Sequence, residues 1–204
     1  MSTSSTPFQR KILSAAKTVF SRHGFQRASM ADVAQVAGVS RAALYVNFLD
    51  KAALFQALAK SIISESLEAA AAAWEDGASL EANLKATILA KDLPIYRLLH
   101  LSPHGGELLN VDVDLTSSTA NEMDKGFAEI LRLHAEKLER TGQAEFSVFS
   151  GCERFGSLVT ALAGGLKHEL KTDQSYIDGV GALSKVVARS VEKRSKETSI
   201  TIAT

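Results

Sequence analysis

A chain of 204 residues is long enough to bury a core without disulfide or metal staples. Its one cysteine, Cys152, excludes an intrachain disulfide and points to a reducing compartment. The longest apolar run, Ala69–Trp74, is far too short for a bilayer span, and the polar start MSTSSTPFQRK has no apolar core of a signal peptide, so a soluble cytoplasmic protein with no membrane partner is expected.

Net charge is zero but unevenly spread. Residues 1–52 carry seven bases and two acids, a net of +5, which leaves −5 on the remainder. A basic head on an acidic body is the asymmetry expected when one end meets a polyanion; chance clustering on a solvated surface gives the same picture.

The pattern predicts an all-α chain: three prolines, much alanine and leucine, and no run of alternating strand pattern. A first helix starts at Thr6-Pro7, carries Phe8, Ile12, Ala16, Val19 and Phe20 at helical spacing, and ends at Gly24. Ser29 caps a second helix with Val33, Ala34 and Ala37 inward, and Gly38 ends it. Ser40 caps a short third helix carrying Leu44. A long fourth helix is predicted over about 51–74, and EDGAS breaks the chain. Another helix covers roughly 79–92, with Pro94 interrupting or restarting it. The segment SPHGGELLNVDVD is the least regular stretch. Helices over about 116–140, 147–170 and 174–193 follow, and the tail KETSITIAT is expected to fray. The domain line falls near residue 50: a head of residues 1–50 and a larger helical body of 51–204.

The third helix carries the most chemistry. A helix advances about 100° per residue, so with Leu44 facing the core Phe48 packs beside it, while Ala42 and Val46 point outward and Ala43 lies on the exposed half. Small outward side chains let a helix approach a groove closely. Alanine can meet a thymine methyl, and Arg41 can take O6 and N7 of guanine together. Tyr45, Asn47 and Lys51 suit phosphate oxygens, which position a helix without reading sequence. The turn Gly38-Val39-Ser40 crosses the two helices steeply and presents the second. A plain two-helix corner inside a helical core is the bland alternative.

In the body, Phe155, Leu158, Val159, Leu162 and Leu166 make an apolar stripe, with Ala161, Ala163, Gly164 and Gly165 allowing close approach. Val180, Leu183, Val186 and Val187 make the facing stripe of the last helix. Both fit a four-helix interface between two copies, or an intrachain core. No catalytic, cofactor or metal set emerges. There is no Glu-x-x-His pair, no Walker loop and no Gly-x-Ser-x-Gly elbow, and His23, His100, His104, His134 and His168 are scattered. Gly179-Val-Gly181 lacks the third glycine and the preceding strand of a dinucleotide loop. Two functions stand at this point: a DNA-binding regulator, or a helical scaffold or small-molecule binder that never meets DNA.

Residues 8–55 resemble the DNA-binding head of the tetracycline-repressor (TetR) family. The likeness runs through Ile12-Leu13, Ala16, Phe20, Gly24-Phe25, Ser29, Asp32-Val33-Ala34, Ala37-Gly38-Val39-Ser40, Leu44-Tyr45, Phe48, Lys51 and Leu54. The resemblance implies a three-helix head and an all-helical ligand and dimer domain, acting as a homodimer on a palindromic double-stranded operator. It also implies that Tyr45 and Lys51 hold the DNA backbone and that Arg41, Ala42 and Ala43 meet bases; Ser29, Ser40, Val46 and Asn47 are expected to complete the DNA-binding surface. The final two helices, through Phe155, Leu158, Val159, Leu162, Leu166, Val180, Leu183 and Val187, would join the subunits. An unknown small-molecule effector is expected near Tyr96, Leu99, His100, Met123, Phe127, Leu131, His134, Cys152 and Phe155, in a mostly apolar cavity with a few polar groups.

Overall fold

The computed structural model describes residues 6–105 and 113–191; for 113–117 and His168 only the backbone is described. The tail from 192 and most of the irregular stretch 102–114 lie outside the described residues. Every regular element described is helical: α1 Pro7–His23, α2 Met30–Ala37, α3 Arg41–Asn47, α4 Lys51–Ala72, α5 Leu80–Leu101, α6 Val113–Arg140, a 3-10 turn Ser147–Phe149, α7 Cys152–Glu169 and α8 Asp173–Val191.

Short polar side chains set the starts. Thr6 and Gln9 exchange bonds in a capping box at α1, and Ser29 and Asp32 do the same at α2. Ser40, Asp50 and Ser79 accept from the backbone N–H groups of Ala43, Ala53 and Ala82 at the heads of α3, α4 and α5. Each such cap stabilises its helix by about 1 kcal/mol. Between α2 and α3 the backbone turns left-handed at Gly38 (φ 60°), a conformation that costs a side chain about 1–2 kcal/mol.

Two cores form. The first joins Ile12, Leu13, Ala16, Val19 and Phe20 of α1 to Val33, Ala34 and Ala37 of α2, to Leu44 and Phe48, and to Leu54, Phe55 and Leu58 in the first two turns of α4. The rings of Phe20 and Phe25 each pack edge to face on Phe55 and tilt against one another. The second core lies in the body and includes Leu84, Ile88, Tyr96, Phe127, Leu131, Phe146, Phe155, Val159, Tyr176 and Val180. There α6 runs against α7 and α5 against α8, while α4 packs on α1, α5 and α6. Close passage of α6 and α7 requires Gly156, because a Cβ there would clash with the Ala128 carbonyl oxygen.

Head and body also touch away from α4. Leu98 and Leu99 near the end of α5 pack against the head core, and the His104 N–H donates to the Ser21 carbonyl at 3.3 Å.

Pro94 departs from expectation. It neither stops nor restarts α5, which runs on to Leu101. Its ring is exposed, while Asp92 before it and Tyr96 after it are buried, so packing on α4 and α8 holds the helix across the missing N–H. The long α7 likewise starts at Cys152, later than expected; Ser150 and Gly151 take positive φ just before it.

Candidate functional site

The head presents one side of α3 to solvent. Leu44 is fully buried and Phe48 nearly so, which fixes the rotation of the helix. Arg41, Ala42, Tyr45 and Val46 are exposed on the other side, Val46 by 85% and Tyr45 by 52%. Ala43 and Asn47 lie half-buried on the flanks. The Asn47 side-chain amide donates back to the Ala43 carbonyl at 2.9 Å, closing the last turn of α3. Leu49, 82% exposed, extends the same surface. No periodicity argument singled it out, because it lies past the end of the helix.

Two of the predicted contact residues are occupied otherwise. Ser29 is spent on its capping box: its N–H and hydroxyl both donate to Asp32 Oδ2, at 2.9 and 2.7 Å. Those bonds, the hydroxyl first, hold the Asp32 carboxyl below its usual range. Lys51 is held more firmly. Its ammonium donates to the carbonyls of Phe25, Gln26 and Ala28 at 2.7, 3.2 and 2.9 Å and lies 4.5 Å from the Phe25 ring centre. All three N–H bonds are therefore committed to the α1–α2 loop. Lys51 orders that loop and ties it to α4; meeting a phosphate would require giving up those bonds.

A cavity of about 300 Å³ lies where head meets body. Lys17 and Phe20 of α1, Phe55 and Ile62 of α4, Ile95 and Leu98 of α5, Thr119 of α6 and Lys167 of α7 are among its walls. Of the predicted effector residues, Tyr96, Leu99, His100 and Met123 also line it. The others do not. Phe127, Leu131 and Phe155 have no exposed surface and belong to the body core, and Cys152 is buried beside Glu139. The Cys152 thiol is pushed up to about 11, chiefly by burial. Helical spacing marks an apolar face but not which of its positions meets a neighbouring helix and which meets empty space.

His134 stacks flat on Trp74, ring centres 3.9 Å apart. Burial, then the Lys137 charge, lowers the imidazole pKa below its ordinary 6.5. A base depressed on folding binds fewer protons in the folded state, so its contribution to stability is present above 6.5 and lost as pH falls through that region. Trp74 is the one tryptophan in the chain, so its fluorescence reports the pair. The emission should change with a midpoint below 6.5 and lose that step in His134→Gln; a midpoint at or above 6.5 contradicts the assignment.

The buried charges of α5 went unpredicted. Lys91 and Asp92 are both fully buried. Asp92 Oδ1 accepts from Lys167 at 2.7 Å and lies 3.3 Å from the Lys91 ammonium, and Oδ2 accepts from the Tyr176 hydroxyl at 3.2 Å. Lys91 Nζ has no aligned hydrogen-bond partner and sits 4.2 Å from the Phe127 ring centre. Burial pushes its pKa below the usual lysine range and raises that of Tyr176. The sequence held a signal for this pair. Leu84, Ile88 and Tyr96 mark the inner stripe of α5, and positions 91 and 92 fall on it.

The predicted joining residues of α7 and α8 divide. Phe155, Val159, Val180 and Val187 are sealed in the body core of their own chain, so they cannot face a second copy. Leu166 and Leu183 are half-buried against that core. Leu158 and Leu162 remain exposed, with Ala161 and Gly165 beside them and Val186 exposed on α8. Among the described residues no group of three or more His, Cys, Asp and Glu is placed to hold a metal ion, and no helix is long and apolar enough to cross a membrane.

Comparison with known proteins bears on both parts. The profile of the bacterial regulatory proteins of the tetR family matches residues 12–58. The regulator TtgR of Pseudomonas putida is 44% identical over 52 residues, 26% of this chain and 25% of that one. The match therefore spans about a quarter of the curated relative. Among solved structures, a transcriptional regulator from Cytophaga hutchinsonii superposes with a TM-score of 0.70 at 18% identity, over 90% of this chain and 97% of that one. SmeT in complex with triclosan gives 0.66 at 14% identity, over 98% of both. Residues 12–58 are a tetR-family domain, and the chain as a whole has the fold of TetR-family transcriptional regulators.

Proposed function

We propose that this chain, a tetR-family head on the TetR fold, is a ligand-responsive transcriptional regulator: a homodimer that represses by binding a palindromic operator and leaves it when a small molecule occupies the body. The observation that carries this reading is the exposed side of α3, where Arg41, Ala42, Tyr45 and Val46 stand free while Leu44 and Phe48 lock the helix from behind. A helix of that design enters a major groove with its N-terminal residues on base edges. Arg41, Ala42, Ala43 and Val46 meet bases; Tyr45 holds phosphate, with Ser40 and Asn47 at the edge.

Two heads on one duplex need recognition helices about one turn, ~35 Å, apart. Leu158, Leu162 and Val186, with the open surfaces of Gly164 and Gly165, supply the joining face. The cavity is the lever. Its walls include Lys17 and Phe20 from the head and Tyr96 and Met123 from the body, so an occupant touches both. Such an occupant moves the heads only by binding one arrangement better than the other. SmeT, with the same fold, carries triclosan in its solved structure, which agrees with a small-molecule effector here.

Selection of genomic fragments on the purified protein tests the reading. The expected outcome is one inverted-repeat motif with half-sites about 10 base pairs apart or a multiple of that. Retention of no fragment at low ionic strength would leave a helical binder without DNA.

A further inference from the structure

We infer that the effector is an amphipathic organic anion, its apolar body filling the cavity between head and body and its single acid group seated on the Lys167 ammonium. The inference rests on the cavity's being the effector site and adds the chemistry of the occupant.

Most of the cavity wall is aliphatic or aromatic, and its described lining residues include three basic side chains, Lys17, His100 and Lys167, but no carboxylate. The three bases are not equal. Lys17 also borders a neighbouring groove that contains Glu65, and His100 is exposed, its ring tilted against that of Tyr96 with centres 4.6 Å apart. Lys167 is sunk into the wall, its side chain 19% exposed. One of its three donors goes to Asp92 at 2.7 Å.

Asp92 is shared. It also takes the Tyr176 hydroxyl and lies 3.3 Å from Lys91 Nζ, so two ammonium groups crowd one carboxylate behind the cavity wall. Lys91 has no aligned bond of its own, and the other carboxylate acting on it, Asp124 of α6, is exposed. Among the described residues, this end of the cavity sets two ammonium groups against one buried carboxylate. An anion on Lys167 supplies a second negative charge, a neutral ligand leaves the ammonium dry and under-bonded, and a cation is repelled. The volume lies near the lower end for small-molecule pockets and suits an occupant the size of a medium-chain acid, alcohol or amine.

Octanoate, octan-1-ol and octylamine share that size and differ in charge at pH 7.5. Calorimetry on the full chain without DNA should show octanoate binding once per subunit, at least tenfold tighter than the alcohol or the amine. Lys167→Met should weaken octanoate at least tenfold and leave octanol within threefold, while Lys167→Arg retains octanoate. Because Lys167→Met also removes a partner of Asp92, the wild-type ranking stands as a test that needs no variant. Octanol binding as tightly as octanoate, octylamine binding tighter, no saturable binding by any of the three, or octanoate indifferent to Lys167→Met overturns the inference. DNA retention is read separately. Octanoate bound through Lys167 with no loss of DNA affinity upholds the anion site and removes the effector reading. DNA release by octanol and octanoate alike does the reverse.

Discussion

Ala42→Glu should weaken operator binding by roughly 100-fold, about 2.7 kcal/mol, with the melting temperature unchanged. Ala42 is exposed on α3 and makes no core contact, so the fold has nothing to lose there. In the groove the new carboxylate meets phosphates and base acceptors with no cation committed to it, since Lys51 is held by three carbonyls behind the helix. Ala71→Glu adds the same charge on an exposed position of α4 in the body and controls for net charge; it should bind within threefold of wild type. Arg41→Ala separates a different effect. If Arg41 reads a guanine, its loss costs about 1–3 kcal/mol at that base and relaxes the preference there. Titration of a labelled duplex at fixed salt measures all three. Ala42→Glu at wild-type affinity would take α3 out of the groove.

The same stretch shows what a sequence reveals. Ser29, Gly38, Ser40, Leu44 and Phe48 act through the chain's own backbone and nearest turns, so their spacing was enough to place α2, the turn and α3. Lys51 acts through carbonyls 23 to 26 residues away, and nothing local to it predicts that a lysine at a helix start turns inward. The cavity follows the same rule. Tyr96, Leu99, His100 and Met123 were found by their surroundings, whereas Lys17 and Phe20 reach it from a helix assigned wholly to the head. In α7, helical spacing drew one stripe from Phe155 to Leu166, but the helix meets its own chain through Phe155 and Val159 and solvent through Leu158 and Leu162. A stripe one residue wider than the contact cannot be divided without knowing where α6 lies.

Asp92 and Lys91 should answer substitution with opposite signs. Asp92→Ala removes the acceptor of Lys167 and Tyr176 and the counter-charge of Lys91 at once, and is expected to destabilise the fold by about 3–5 kcal/mol. Lys91→Met keeps the volume and the contact with Phe127, leaves Asp92 its other two partners, and removes a buried ammonium with no aligned bond; it is expected to stabilise by about 1–4 kcal/mol. The pH dependence checks the cause. Burial lowers the Lys91 pKa from 10.5, so below 10.5 the unfolded chain binds the extra proton and wild-type stability rises with pH through that window. Tyr96 and Tyr176 work against this slope. Burial raises their pKa above the ordinary 10, so the folded state keeps protons that the unfolded chain sheds, and stability falls as pH rises past 10. Both tyrosines remain in Lys91→Met, so the stability difference between variant and wild type isolates the lysine. In urea melts that advantage should shrink between pH 7 and pH 10. A constant advantage would assign the gain to packing, and a loss of stability in Lys91→Met would mean that Asp92 needs both ammonium groups.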